Sequence, residues 1–197
     1  MPHPKSPAAD HPIASLISAR WSPYAFDPRP VEREKLLACL EAARWAASSF
    51  NEQPWHFIVA EREMEADFDR LLSCLMEANQ AWAKDSGVLL LTAVCRSFTR
   101  NGKPNRMAEH DLGLAVGNLS LQATEFGLGV HQMAGINPSK ARQLCQVPET
   151  HDPITAIAIG YVAAEHAFHD RDQQPRQRRA LSEFCSQGVF GSPLPVS

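Results

Sequence analysis

The stretch Ser48-Ser49-Phe50-Asn51-Glu52-Gln53-Pro54-Trp55 concentrates uncharged hydrogen-bonding groups in one short segment. It offers two hydroxyls at Ser48 and Ser49 and two side-chain amides at Asn51 and Gln53. Pro54 disfavours the helical region for Gln53 and predicts an extended residue there. Such a turn suits a neutral ligand with many polar edges, such as a flavin ring or a sugar. Ser and Asn are also ordinary turn formers, so a plain capped turn uses the same residues.

Two basic motifs stand far from this turn. Arg20-Trp21-Ser22 places a hydroxyl two residues after a guanidinium, a pair able to grip a phosphate by charge-assisted hydrogen bonds. An Arg at a helix C-terminus is also a favourable dipole partner. Arg176-x-Arg178-Arg179 could complete a phosphate site beside Arg20, or be a solvated basic tail. Gln132-Met133-Ala134-Gly135 follows a strand pattern, and Gly135 would let a flat ligand approach the backbone. Glu109-His110-Asp111 crowds charge at the start of a helix, where carboxylates suit the dipole.

Other chemistries are poorly served. Gly127-x-Gly129 lacks the third glycine of a dinucleotide fingerprint, since position 132 is Gln132. No P-loop, GxSxG elbow or Cys-His-Asn arrangement is present. The eight histidines show no HxxxH spacing, and no metal site is expected from His166-x-x-His169-Asp170.

These residues need elements to position them. Ile13 to Arg20 has a short helical pattern that Pro23 ends, and residues 26 to 30 read as a stiff connector. Val31 to Ala47 carries Leu36, Leu37, Leu40, Ala43 and Ala47 on a helical spacing. Trp55 to Ala60 reads as a strand, Met64 to Glu77 as an amphipathic helix, and Gly87 to Cys95 as a strand buried on both faces. Residues 96 to 105 form a polar loop. Met107 to Phe126 is apolar almost all round, which predicts a central helix covered on several sides, with a second copy of the chain supplying part of the cover. A short strand near Val130, a helix from Pro138 to Gln146 and a strand from Ile154 to Val162 follow. Long helices among short strands, without strict alternation, predict an α+β fold. Residues 1–10 read as a disordered tail and 11–197 as one domain.

Composition narrows the class. With 197 residues, 44% of them hydrophobic and 21% charged, the chain can bury a sizeable core. A net charge of −3 argues against a general nucleic-acid binder. No apolar run reaches membrane-spanning length, and no apolar signal segment opens the chain. Five scattered cysteines without a CxxC pair fit reduced thiols in a cytoplasmic protein.

Taken in order, the motifs resemble the nitroreductase family of FMN-dependent oxidoreductases. Arg20-Trp21-Ser22 is similar to the family's Arg-x-Ser opening. Residues 47–55 are similar to its Pro-Ser-x-x-Asn-x-Gln-Pro-Trp motif, with Ala47 in place of Pro. Asn79-Gln80-Ala81-Trp82 resembles the stretch that supplies an Asn to the flavin. Asp111-Leu112-Gly113 through Gly127-Leu128-Gly129 resembles the long central helix and its exit. Met133, Ala134 and Gly135 fall where backbone N–H groups meet the reactive flavin nitrogen, and Arg176-x-Arg178 resembles the C-terminal phosphate clamp.

The resemblance implies a central mixed sheet surrounded by helices, in an intertwined homodimer with FMN at the interface. Arg20, Trp21, Ser22 and Tyr24 would belong to the cofactor site, with Arg20, Ser22, Arg176 and Arg178 on the phosphate and ribityl end. Ser48, Ser49, Asn51 and Gln53 would reach the flavin of the partner subunit, and Asn79 the ring. The implied activity is ping-pong: NADH or NADPH reduces bound FMN, and a nitroaromatic, quinone or flavin reoxidises it. No side chain is assigned as catalytic. Tyr24 and Trp82 stand where the family usually or sometimes carries a cation, which leaves open a non-catalytic flavin-binding or sensing protein. A specialised flavin oxidase or dehalogenase-like enzyme, with a short lid at residues 96–106, is a further alternative.

Overall fold

The computed structural model describes residues 5–195. Its sheet is built around two strands. β3 (Val88–Cys95) pairs antiparallel with β2 (Trp55–Glu61) on one edge and with β5 (His151–Val162) on the other. β5 is long enough to hold three partners: β3, β4 (Leu128–Met133) and the two-residue β1 (Phe26–Asp27). The α+β class expected from the sequence is the observed one. The expected sheet was mixed, but every pairing among the described residues is antiparallel. The successive pairs β2–β3 and β4–β5 each double back on themselves, and β5 enters beside β3 and β1 running opposite to both.

β3 is buried on both faces, as its continuous apolar run predicts. Val88, Leu90 and Val94 point to one core, and Leu89, Leu91 and Ala93 to the other. The first core lies under α2 (Arg33–Arg44) and α5 (Ala108–Glu125). The second lies under α3 (Glu65–Leu72), α4 (Glu77–Ala83) and α6 (Pro138–Leu144). α6 starts cleanly, because Asn137 Oδ1 accepts the Lys140 N–H and Pro138 needs no donor partner in the first turn.

Several elements differ from the sequence reading. The segment expected as one helix from 64 to 77 ends at Leu72, and α4 follows as a separate helix. Between them Leu75 bridges Ile136, and the Met76 N–H donates to the Gly135 carbonyl at 2.9 Å, so tertiary pairing takes the backbone that would have continued the helix. β5 starts three residues earlier than Ile154 and includes Pro153. Pro153 is tolerated because the register shifts opposite it, between Thr92 and Ala93, so a ladder donor is not required there. In α2 the buried stripe is Leu36, Cys39 and Ala43, while Leu37 is exposed.

α5 spans Ala108–Glu125, within a residue of each expected end. Its inner face is buried through Asp111, Leu112, Ala115, Val116, Leu119, Ser120 and Ala123. Its outer face is open: Gly113, Leu114 and Gly117 are exposed, and a Cβ on either glycine would meet nothing within 4 Å. α1 (Ser15–Ala19) and α7 (Asp170–Gln173) are short and frame the basic motifs. Of the tail expected over 1–10, residues 1–4 lie outside the described residues; Lys5 Nζ donates to the carbonyls of Arg171 and Gln174 at 2.6 Å each. No helix among the described residues is long and apolar enough to cross a membrane.

Candidate functional site

The two basic motifs, 156 residues apart, meet. Arg176 Nη1 donates to the Arg20 carbonyl at 2.6 Å and Nη2 to the Ser18 carbonyl at 2.5 Å. Arg20 Nη1 reaches Ser22 Oγ at 3.4 Å. Arg20, Arg176, Arg178 and Arg179 line a half-open cavity of about 570 Å³, whose lining is completed by Pro7 to His11, Ile13, Ile17, Leu181 and Phe184.

The charge in this cavity is unbalanced. No ion pair among the described residues involves Arg20, Arg176 or Arg178. Burial lowers the Arg20 pKa, and the neighbouring Arg178 lowers it further. Arg176 is lowered first by burial, then by Arg20 and Arg178. Its Nε–H is buried without a hydrogen-bond partner. Crowded, partly desolvated guanidinium groups with an orphan donor fit an anion with several acceptor oxygens, such as a phosphate monoester.

Asp172 assembles the cluster. It is fully buried, and its two oxygens accept the N–H groups of Tyr24 and Ala25 at 2.9 and 3.0 Å. One carboxylate thereby ties α7, just ahead of Arg176, to the loop just after Ser22. Sequence reading missed this residue, which lay in a polar stretch with no pattern to mark it. Tyr24 sits in an aromatic group. Its ring meets His131 edge-on at 4.5 Å and Trp82 at 5.1 Å, and stacks on His169 at 5.2 Å. Its hydroxyl accepts from Arg171 Nη1 at 3.0 Å. His131 Nδ1 donates to the Pro23 carbonyl at 2.8 Å, and burial holds its pKa below the usual imidazole range. Trp21 is half-buried, edge-on to Phe168 at 5.9 Å.

Met133 ends β4 in the second core, and Ala134 is exposed beside it. Gly135 permits a close approach, and the Asn79 side chain makes one. A Cβ at Gly135 would lie 2.5 Å from Asn79 Nδ2, which donates to the Gly135 carbonyl at 3.1 Å. The two residues are one unit: no larger side chain fits at 135 while Asn79 holds that bond.

The polar turn is built differently. Phe50, Asn51 and Gln53 all have positive φ, at 56°, 57° and 50°. Each non-glycine residue in that region costs about 1–3 kcal/mol. Gln53 therefore leaves the right-handed helical region as Pro54 requires, but enters the left-handed region instead of an extended one. Local bonds explain this: the Gln53 N–H donates to Ser48 Oγ at 3.0 Å, and Gln53 Nε2 donates to the Asn51 carbonyl and Asn51 Oδ1, both at 3.2 Å. From outside, the buried Asp111 of α5 accepts the Ser49 N–H at 2.9 Å. Asp111 thus caps the turn as well as suiting its own helix start, a role its sequence position did not reveal.

The structure joins Arg20, Ser22, Arg176 and Arg178 in one place, and Asn79 with Gly135 in another. It does not bring Ser48, Ser49, Asn51 or Gln53 to the arginine cavity, whose lining contains none of them.

Comparison with known proteins identifies relatives along nearly the whole chain. The sequence profile described as Nitroreductase family matches residues 17–161. The chain is similar to the major NAD(P)H-flavin oxidoreductase of Aliivibrio fischeri, 34% identical with 88% of this chain and 97% of that protein covered. Among solved structures it is similar to an oxidoreductase containing FMN, with a TM-score of 0.87, 32% identity and 93% and 96% of the two chains covered. A nitroreductase family protein from Clostridium difficile 630 follows, with a TM-score of 0.72, 26% identity and 89% and 97% coverage.

Proposed function

The chain belongs to the nitroreductase family, and from that premise we propose that it is an FMN-dependent NAD(P)H oxidoreductase acting on a nitroaromatic, quinone or flavin acceptor. The observation that carries the reading is the arginine cavity. Four guanidinium groups line it with no ion-pair partner among the described residues, and the buried Arg176 Nε–H lacks an acceptor there. The terminal phosphate of FMN fits that deficit. In this reading Arg20, Ser22, Arg176 and Arg178 hold the phosphate and ribityl end, Trp21 belongs to the same site, and Tyr24 lies near the pyrimidine edge of the flavin. Asn79 orients toward the ring, and the backbone of Met133, Ala134 and Gly135 lies along it.

When bound, FMN supplies hydride acceptance and donation between two substrates that visit in turn. The chain contributes orientation and polar contacts; no side chain is assigned as an acid or base. The turn at 48–53 is proposed to serve the cofactor held by a second copy. Two observations support a homodimer: the open Gly113, Leu114 and Gly117 face of α5, and the absence of the turn's residues from the lining of the arginine cavity in the same chain. We also place the protein in the cytoplasm, with residues 11–197 as one domain.

Tyr24 and Trp82 pack on each other at positions where the family resemblance implies a usual and an occasional cation, which favours a second reading as a non-catalytic flavin binder. Arg171 opposes it by bringing a guanidinium to the Tyr24 hydroxyl and ring, 5.2 Å from the centroid. An absorbance spectrum before and after anaerobic NADH and NADPH decides between them. Bound flavin that bleaches and recovers with an acceptor is the expected result. Flavin that stays oxidised with both donors supports the binding protein, and a protein that takes up no FMN overturns both.

A further inference from the structure

Residues 96–106 contain Arg96, Arg100, Lys103 and Arg106 and no acidic residue. They fold as a small hairpin. Phe98 N–H donates to the Lys103 carbonyl at 2.8 Å, Asn105 N–H to the Arg96 carbonyl at 2.7 Å, and Gly102, at φ 67°, closes the tip. Arg96 is neutralised at the root by Glu109 and Asp152, at 2.8 and 2.6 Å. Arg100, Lys103 and Arg106 form no ion pair among the described residues.

The hairpin is fastened to the polar turn. Glu52 Oε1 accepts the Thr99 N–H at 2.6 Å. Phe98 meets Phe50 edge-on at 5.7 Å, and the Arg100 guanidinium lies 3.9 Å from the Phe50 ring centroid. Phe50 is itself 71% exposed and held at positive φ, so the fold presents an exposed aromatic ring with a guanidinium stacked against it. A flat ring beside a fixed positive charge fits a purine ribose bearing a phosphate.

We propose that this hairpin selects the reductant, taking the additional ribose phosphate of NADPH on Arg100 and Lys103 while Phe50 receives the adenine. The inference rests on the reading of the 48–53 turn as a wall of the flavin site. The diphosphate is common to NADH and NADPH, so only the ribose phosphate lets these cations discriminate. Arg100 is preorganised on Phe50, and the Thr99 and Phe98 bonds hold the hairpin backbone that carries both cations, which lowers the ordering cost of binding.

The test is rapid-mixing reduction of the FMN-loaded protein by each donor. The wild type is expected to show kcat/KM for NADPH about tenfold or more above that for NADH, the factor one charge-assisted hydrogen bond supplies. The double variant Arg100→Gln/Lys103→Gln should bring that ratio near one, and Arg70→Gln, on the far helix α3, should leave it unchanged. Rising salt should shrink the wild-type ratio. Equal use of both donors, an NADH preference, or an unchanged ratio in the double variant overturns the proposal while leaving the oxidoreductase reading intact. So does a variant effect confined to anionic acceptors. Bleaching by neither donor defeats the oxidoreductase reading itself, and the hairpin's role with it.

Discussion

The polar turn and the arginine cluster hold themselves in opposite ways. The turn at 48–53 places three non-glycine residues at positive φ, yet closes its own hydrogen bonds through Ser48, Asn51 and Asp111. The cluster has ordinary backbone geometry but leaves its charge open, with an orphan N–H on Arg176. The turn's tension is conformational and is met from within the chain. The cluster's tension is electrostatic, and in the proposed reading a bound phosphate meets it. A region of the first kind should govern stability, and one of the second kind should govern affinity.

The largest effect should come from the turn. Asp111→Ala removes the acceptor of the Ser49 N–H and should lower the unfolding free energy of the flavin-free protein by about 2–3 kcal/mol, as expected for losing a charged hydrogen bond in a buried place. Urea denaturation checks it; an unchanged midpoint would mean that the turn does not depend on α5. Next, Arg20→Ala should weaken FMN binding by about 2 kcal/mol, roughly thirtyfold, while the flavin-free protein keeps or gains stability because a crowded cation is gone. Fluorescence titration with FMN alongside denaturation separates the two; equal losses in both would erase the contrast.

The smallest effect concerns pH on the cluster side. His131 is half-buried against Tyr24, Trp82 and the Pro23 carbonyl, near Asp172 and Arg171, and its folded pKa lies below the ordinary 6.5. The unfolded chain therefore binds the proton first. Its contribution to stability is complete above about pH 6.5 and fades as pH falls through the folded value. Wild-type denaturation midpoints should drop between pH 7.5 and 5 more steeply than those of His131→Gln, with the difference vanishing if His131 is already charged in the fold.

Much of the frame could be read along the chain. The unbroken apolar run of β3, the period of α5 and the Asn137-Pro138 helix start are local patterns, and each appears where the sequence placed it, within a few residues. The break after Leu72 could not be read, because Leu75 and Met76 are drawn off by Ile136 and Gly135, some 60 residues ahead. The stripe on α2 was misjudged at Leu37, since spacing gives a helical face but not which edge of it meets the sheet.

The sequence by itself determined the residue types of the site: a turn of amides and hydroxyls, an Arg-x-Ser pair and a second arginine group. Those are properties of neighbours in the chain, where side-chain chemistry and local propensity suffice. Tertiary structure alone decided that Arg20 and Arg176 share one cavity, that Asp172 fastens their loops, and that Asp111 caps a left-handed turn. A buried carboxylate finds its donors only after the backbone has been brought around it, and no spacing along the chain encodes which N–H groups those will be.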